Sequence, residues 1–184
     1  SNKKMFKFLH LPLQSGSNNV LKQMDRNYKV EDFLKIIKAF RKKFPLLTLS
    51  TDIIVGYPAE AEADFKKSVE IIKEIKPNML NISKFWPRQG TKAAELKKLK
   101  AEIIKRRAIE LMNLHKKISL EENKKLIGMQ FKCLADRKGF EDTFLARNSD
   151  YKLVAIKGKN LLGKFLEIEI AKALPHYLTG KILQ

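Results

Sequence analysis

The alternation of short apolar runs with amphipathic stretches across the first hundred residues constrains this chain most. Extended segments followed by apolar residues at three- and four-residue spacing are the pattern of βα units, in which helices cover a parallel sheet. The run 6–13 alternates as a strand and passes through Gln14-Ser15-Gly16-Ser17 into a short helix with Val20, Leu21 and Met24 on one face. Ser17 is a candidate N-cap for it. A second helix from about Glu31 carries Phe33, Ile36, Ile37, Phe40 and Phe44 until Pro45 stops it. The next strand, 47–55, leads into the turn Gly56-Tyr57-Pro58 and a helix with an acidic start at 60–64 and a buried face of Phe65, Val69 and Ile72. After Pro77 a third strand, 79–85, enters the loop 86–91, and a long basic helix runs on to about Lys125. Beyond Gly128 the texture changes to short alternating strands broken by Gly139, Asn148, Gly158, Gly163 and Gly180, the pattern of a small all-β unit.

Two domains are expected from this, an α/β portion over 1–125 and a β domain over 126–184. Three βα units do not close a barrel, and a three-stranded parallel sheet leaves an edge to be covered, so the α/β portion reads as part of something larger. No apolar run approaches the roughly 18 residues that span a bilayer, so no membrane is expected as a partner. Ser1-Asn2 reads as a cloning remnant. The single cysteine, Cys133, rules out an internal disulfide and points to a reducing cytoplasm. His10, His115 and His176 lie on different elements without ligand spacing, so no metal site is assigned. With 38 basic and 20 acidic residues the net charge is +18, which suits a polyanion. Residues 84–125 alone hold 13 basic side chains against five glutamates.

Four blocks then stand in order. They are His10-Leu11-Pro12-Leu13-Gln14-Ser15-Gly16-Ser17; Met24-Asp25-Arg26-Asn27-Tyr28; the stretch TDIIVGYP over 51–58 with Glu60, Asp64 and Phe65 after it; and the stretch NISKFWPRQGTKAA over 81–94. Together they resemble the tRNA methylthiotransferases of the radical S-adenosylmethionine class, and the Asn-Ile-Ser block is most similar to the archaeal and eukaryotic branch acting on threonylcarbamoyladenosine. The tail from about Leu126 resembles the TRAM domain, a small OB-like RNA-binding barrel. The resemblance implies the C-terminal three βα units of a partial TIM barrel, followed by that barrel. It implies an enzyme, monomeric when whole, that methylthiolates C2 of N6-threonylcarbamoyladenosine 37 of tRNA with S-adenosylmethionine and [4Fe-4S] clusters. Such enzymes also carry an N-terminal methylthiotransferase domain and a CxxxCxxC cluster motif. Neither occurs in these 184 residues, so this chain alone is expected to be inactive. The family's Pro-Gly-Glu-Thr stands here as Pro58-Ala59-Glu60-Ala61. The rival readings are a non-catalytic RNA-binding protein and the branch acting on isopentenyladenosine 37.

For site residues, the resemblance directs attention to the strand ends. Gln14 and Ser15 can hydrogen-bond a ribose or methionyl group, and Asp52 is a carboxylate inside an apolar strand. Ile54 and Gly56 can floor an adenine, and the fork of Arg26 suits the cofactor's carboxylate or a tRNA phosphate. These six are the expected cofactor contacts; no catalytic side chain is assigned. Trp86 and Arg88, Lys105, Arg106 and Arg107 of the basic helix, and Lys132, Arg137, Lys138 and Arg147 of the tail are the expected RNA contacts. Phe140, Phe144 and Tyr151 are further rings of the tail, most of them expected in its core.

Overall fold

The computed structural model describes residues 5–183, so Ser1-Asn2 lies outside the described residues. Thirteen elements follow in order among them: β1 Phe8–His10, α1 Asn18–Gln23, α2 Val30–Lys43, β2 Thr48–Val55, α3 Glu62–Ile75, β3 Met79–Lys84, α4 Lys92–Glu95, α5 Ala101–Lys124, β4 Gln130–Lys138, β5 Thr143–Asn148, β6 Leu153–Lys157, β7 Phe165–Ala173 and β8 Leu178–Ile182. The chain divides into two compact units. One comprises His10–Pro45 and Leu49–His115; the other takes the described residues up to Leu9, Leu46–Thr48 and those from Lys116 onward.

The sheet has the order β1-β2-β3, and its parallel pair β2–β3, from Ser50↔Met79 to Val55↔Lys84, is the base of the first unit. Period-two alternation sorts β2 into two faces. Leu49, Thr51, Ile53 and Val55 are buried, while Asp52 and Ile54 on the other face are half-buried. The β1 ladder is shorter than the alternation suggests because Pro12 has no N–H to give. The Thr51 hydroxyl bridges that gap, donating to the Leu11 carbonyl at 2.8 Å and accepting from the Leu13 amide at 3.2 Å. Pairing then resumes where Gln14 N donates to the Asp52 carbonyl and Ile54 N to that of Gln14. Ser17 stands at the N-cap of α1 but does not cap it; its hydroxyl donates to Asp64 at 2.6 Å instead. Gly16 has no substitute, since a Cβ there would lie 2.5 Å from the Ser68 Cα of α3. On α2 only Phe33 and Ile37 of the apolar series are buried, with Ile36 and Phe40 each 41% exposed. The single long basic helix expected after residue 91 is two, α4 and α5.

The second unit holds a closed barrel of order β4-β5-β6-β8-β7, antiparallel except between β6 and β8. Its core takes Cys133, Ala135, Phe144, Ala146, Val154, Ile156, Ile168, Ile170 and Leu178, the inward phase of each strand. Closure leaves no open sheet edge. Burial pushes the Cys133 thiol up to about 12. Among the described residues no helix is long and apolar enough to cross a membrane.

Candidate functional site

A cleft of about 1150 Å³ opens at the strand ends of the first unit. Gln14, Asp52, Ile54 and Ser83 line its sheet side, Met24, Asp25 and Arg26 one rim, and Phe85, Trp86, Arg88 and Lys92 the other. The β2–β3 register explains the sheet side, since Asp52↔Asn81 and Ile54↔Ser83 put these side chains on one face. Gln14 reaches it through a strained backbone, with φ at +70°. A glutamine in the left-handed region costs roughly 1–2 kcal/mol, and here the two β2 hydrogen bonds hold it there. Tyr57, buried to 4% exposure, packs edge-on to Phe85 at 5.2 Å and anchors its hydroxyl on the Gln23 carbonyl at 2.7 Å, which braces both rims.

Asp52 sits in a network that composition could not reveal. His10 Nε2 lies 3.1 Å from both of its oxygens, and the Asn81 amide donates to Oδ1 at 2.7 Å. One residue from each of the three strands thus meets at one level of the sheet, which satisfies the half-buried carboxylate. The histidines do lie on different elements, yet His10 reaches a carboxylate because parallel strands bring distant residues level. Among the described residues no group of three His, Cys, Asp or Glu is disposed to hold a metal ion.

Of the six expected cofactor contacts, Gln14, Arg26, Asp52 and Ile54 line the cleft. Ser15 and Gly56 do not. Ser15 is fully buried, its hydroxyl accepting the Ser17 amide at 3.2 Å. Gly56, at φ +81°, donates its amide to Glu60 at 2.9 Å, and a Cβ there would meet Ile104 at 2.6 Å. The loop 86–91 sends Trp86 and Arg88 into the same cleft, the indole 83% exposed.

Arg107 requires a correction, because it is 2% exposed and cannot meet a phosphate. Its Nη1 donates to Glu60 Oε2 at 2.6 Å, its Nη2 to Glu62 at 3.0 Å, and its guanidinium lies 5.1 Å from the Phe65 ring centre. Burial pushes the Glu60 carboxyl above the ordinary carboxylate range, against the opposing pull of the Gly56 amide and Arg107. Arg106 is half-exposed and paired with Glu62 and Glu110, whereas Lys105 is exposed. In the spacing 107, 111, 115, 118 lay the signal: Arg107 shares a stripe with Leu111, His115 and Ile118, all buried.

On the barrel Lys132, Arg137 and Lys138 are exposed. Arg147 is held 3.1 Å from Asp136 and stacked 4.2 Å from the Tyr151 ring centre. Phe144 is core, but Phe140 is 83% exposed. Phe165, 66% exposed with Lys132 Nζ 5.7 Å from its ring centre, is a ring the sequence reading missed. It shares its phase of β7 with Glu167 and Glu169, and that alternation marks it as outward.

Comparison with known proteins gives this geometry a class. Residues 2–72 match the Radical SAM superfamily and residues 132–183 the TRAM domain. The first segment is thus similar to the radical SAM class and the closed barrel to a TRAM domain. More narrowly, the chain is similar to proteins named as tRNA methylthiotransferases and related synthases. It is 44% identical over 182 residues to a protein of Pyrococcus abyssi and 41% over 182 residues to one of Archaeoglobus fulgidus, both named probable threonylcarbamoyladenosine tRNA methylthiotransferase. Both alignments take in 99% of this chain, with 43% of the first relative and 42% of the second. A tRNA-2-methylthio-N(6)-dimethylallyladenosine synthase of Petrotoga mobilis is 33% identical over 187 residues, covering all of this chain and 43% of the relative. The chain thus spans less than half the length of these curated relatives.

The cleft suits S-adenosylmethionine. It offers hydroxyl- and amide-bonding groups in Gln14 and Ser83, an apolar surface in Ile54 and Phe85, and a guanidinium in Arg26. An iron–sulfur cluster does not fit on this chain, whose single thiol is buried in the barrel core.

Proposed function

We propose that this chain supplies the strand-end cofactor surface and the RNA-binding barrel of an enzyme that methylthiolates C2 of N6-threonylcarbamoyladenosine 37 in tRNA. The observation that carries the reading is the convergence of Gln14, Arg26, Asp52 and Ile54 with Trp86 and Arg88 on one cleft. Bound S-adenosylmethionine and a cluster on the remainder of the enzyme supply the radical chemistry. This chain's residues bind and orient. Gln14 hydrogen-bonds the ribose or methionyl group, Arg26 takes the methionyl carboxylate, and Ile54 meets the adenine. Asp52 keeps His10 and Asn81 in place beside them. Trp86 stacks on the target base, and Lys105, Arg106, Lys132, Arg137, Lys138 and Arg147 attract the tRNA backbone. The division falls near residue 126, the whole enzyme is a cytoplasmic monomer, and the chain alone turns over no substrate.

Equilibrium dialysis of the chain with labelled S-adenosylmethionine, beside titration with an anticodon stem-loop, tests this. Binding of both, with the cofactor lost in Arg26→Gln, is the expected result. Stem-loop binding with no cofactor binding would replace the reading with that of a non-catalytic RNA-binding protein.

A further inference from the structure

We propose that Arg88 selects the N6 substituent of the target adenosine by pairing with a carboxylate on it. This inference rests on the substrate reading above. The relatives are named for two kinds of N6 substituent, threonylcarbamoyl and dimethylallyl. The first ends in a carboxylate, and the second is a hydrocarbon. A cleft that handles the first needs a cation where the substituent lies, because a carboxylate leaving water without a partner costs several kcal/mol.

The second rim provides such cations. Lys84, Arg88 and Lys92 come from one nine-residue stretch, all line the cleft, and none is ion-paired among the described residues. The lining includes two carboxylates, Asp25 and Asp52, and both oxygens of Asp52 already take His10 or Asn81. Within the rim Arg88 is the choice for two reasons. Its planar fork matches a carboxylate with two parallel hydrogen bonds, which an ammonium cannot do. Its backbone is also fixed, since the Arg88 carbonyl accepts from the Thr91 amide at 3.2 Å and from the Thr91 hydroxyl at 2.7 Å. Two positions earlier stands Trp86, whose exposed indole suits the adenine ring bearing that substituent. Arg88 thereby reads the substituent while Trp86 holds the base, whichever base modification is offered.

The test is fluorescence anisotropy at fixed salt with four anticodon stem-loops. They carry adenosine, N6-threonylcarbamoyladenosine, its carboxyl methyl ester and N6-dimethylallyladenosine at the target position. The chain should bind the free-acid RNA about tenfold or more tighter than the other three, the scale of a charge-assisted pair. Arg88→Gln should bring all four within about twofold, and Arg88→Lys should recover only part of the preference. Lys92→Gln should weaken all four alike, as loss of a phosphate contact does. Equal weakening of all four by Arg88→Gln would overturn the proposal and leave Arg88 a backbone contact. So would a wild-type chain that binds the ester as tightly as the acid. Failure to bind any of the four would instead sink the tRNA reading on which the proposal stands.

Discussion

Gln14 separates the demands of folding from those of binding. At φ +70° it holds a conformation that glycine adopts freely, at a cost of roughly 1–2 kcal/mol. Replacing it by glycine relieves that strain but adds about 0.4–1 kcal/mol of unfolded-chain entropy to be lost on folding. Gln14→Gly should therefore leave stability unchanged or raise it by up to about 1.6 kcal/mol in urea unfolding. The same variant should lose S-adenosylmethionine binding by at least about fivefold, the loss of one hydrogen-bonding amide. On the proposed reading the strained side chain is there for its amide. If Gln14→Gly bound the cofactor normally, the amide would have no role in the cleft.

At the scale of elements, α5 shows what a charge count hides. Its cations are spread round the helix, and only their spacing relative to Leu111 and Ile118 sets Arg107 inward against Glu60 and Phe65. Removing one partner of a buried pair strands the other, at a cost of about 3–5 kcal/mol, whereas removing both charges costs much less. Arg107→Met should therefore destabilise the chain by about that amount in urea unfolding. Adding Glu60→Gln, which keeps a carbonyl for the Gly56 amide, should restore a large part of the loss in a double-mutant cycle. Additive costs would mean that the pair contributes no coupling. The strands themselves were legible in the sequence, since β2 is β-branched or apolar at every position but Ser50 and Asp52 and is bounded by Pro45 and Gly56. So was the cleft side of Asp52 and Ile54, which follows from period-two alternation. The contact of His10 with Asp52 across 42 residues was not, because it depends on β1–β2 register, and Pro12 interrupts the pattern from which register is read.

For the whole molecule, a net charge of +18 would make electrostatics the largest general contribution to the proposed RNA binding, and salt separates it from stacking. A lysine that meets a phosphate contributes about 0.7–0.9 to the slope of log affinity against log salt, whereas a ring that stacks on a base adds affinity without changing that slope. The barrel face carries one of each side by side. Lys132 is exposed with its ammonium 5.7 Å from the centre of the exposed Phe165 ring, on neighbouring strands β4 and β7. If that face meets the anticodon loop, Lys132→Gln should lower the salt slope by roughly 0.7–0.9. Phe165→Ala should weaken binding by about 1–3 kcal/mol at every salt concentration and leave the slope alone. Anisotropy titrations of one stem-loop across a series of potassium chloride concentrations measure both quantities at once. A Phe165→Ala chain of unchanged affinity would restrict this face to a phosphate contact, and a Lys132→Gln chain of unchanged slope would move the RNA to another side of the barrel. Only a surface that loses slope from the one and affinity from the other can hold an unpaired base together with its backbone.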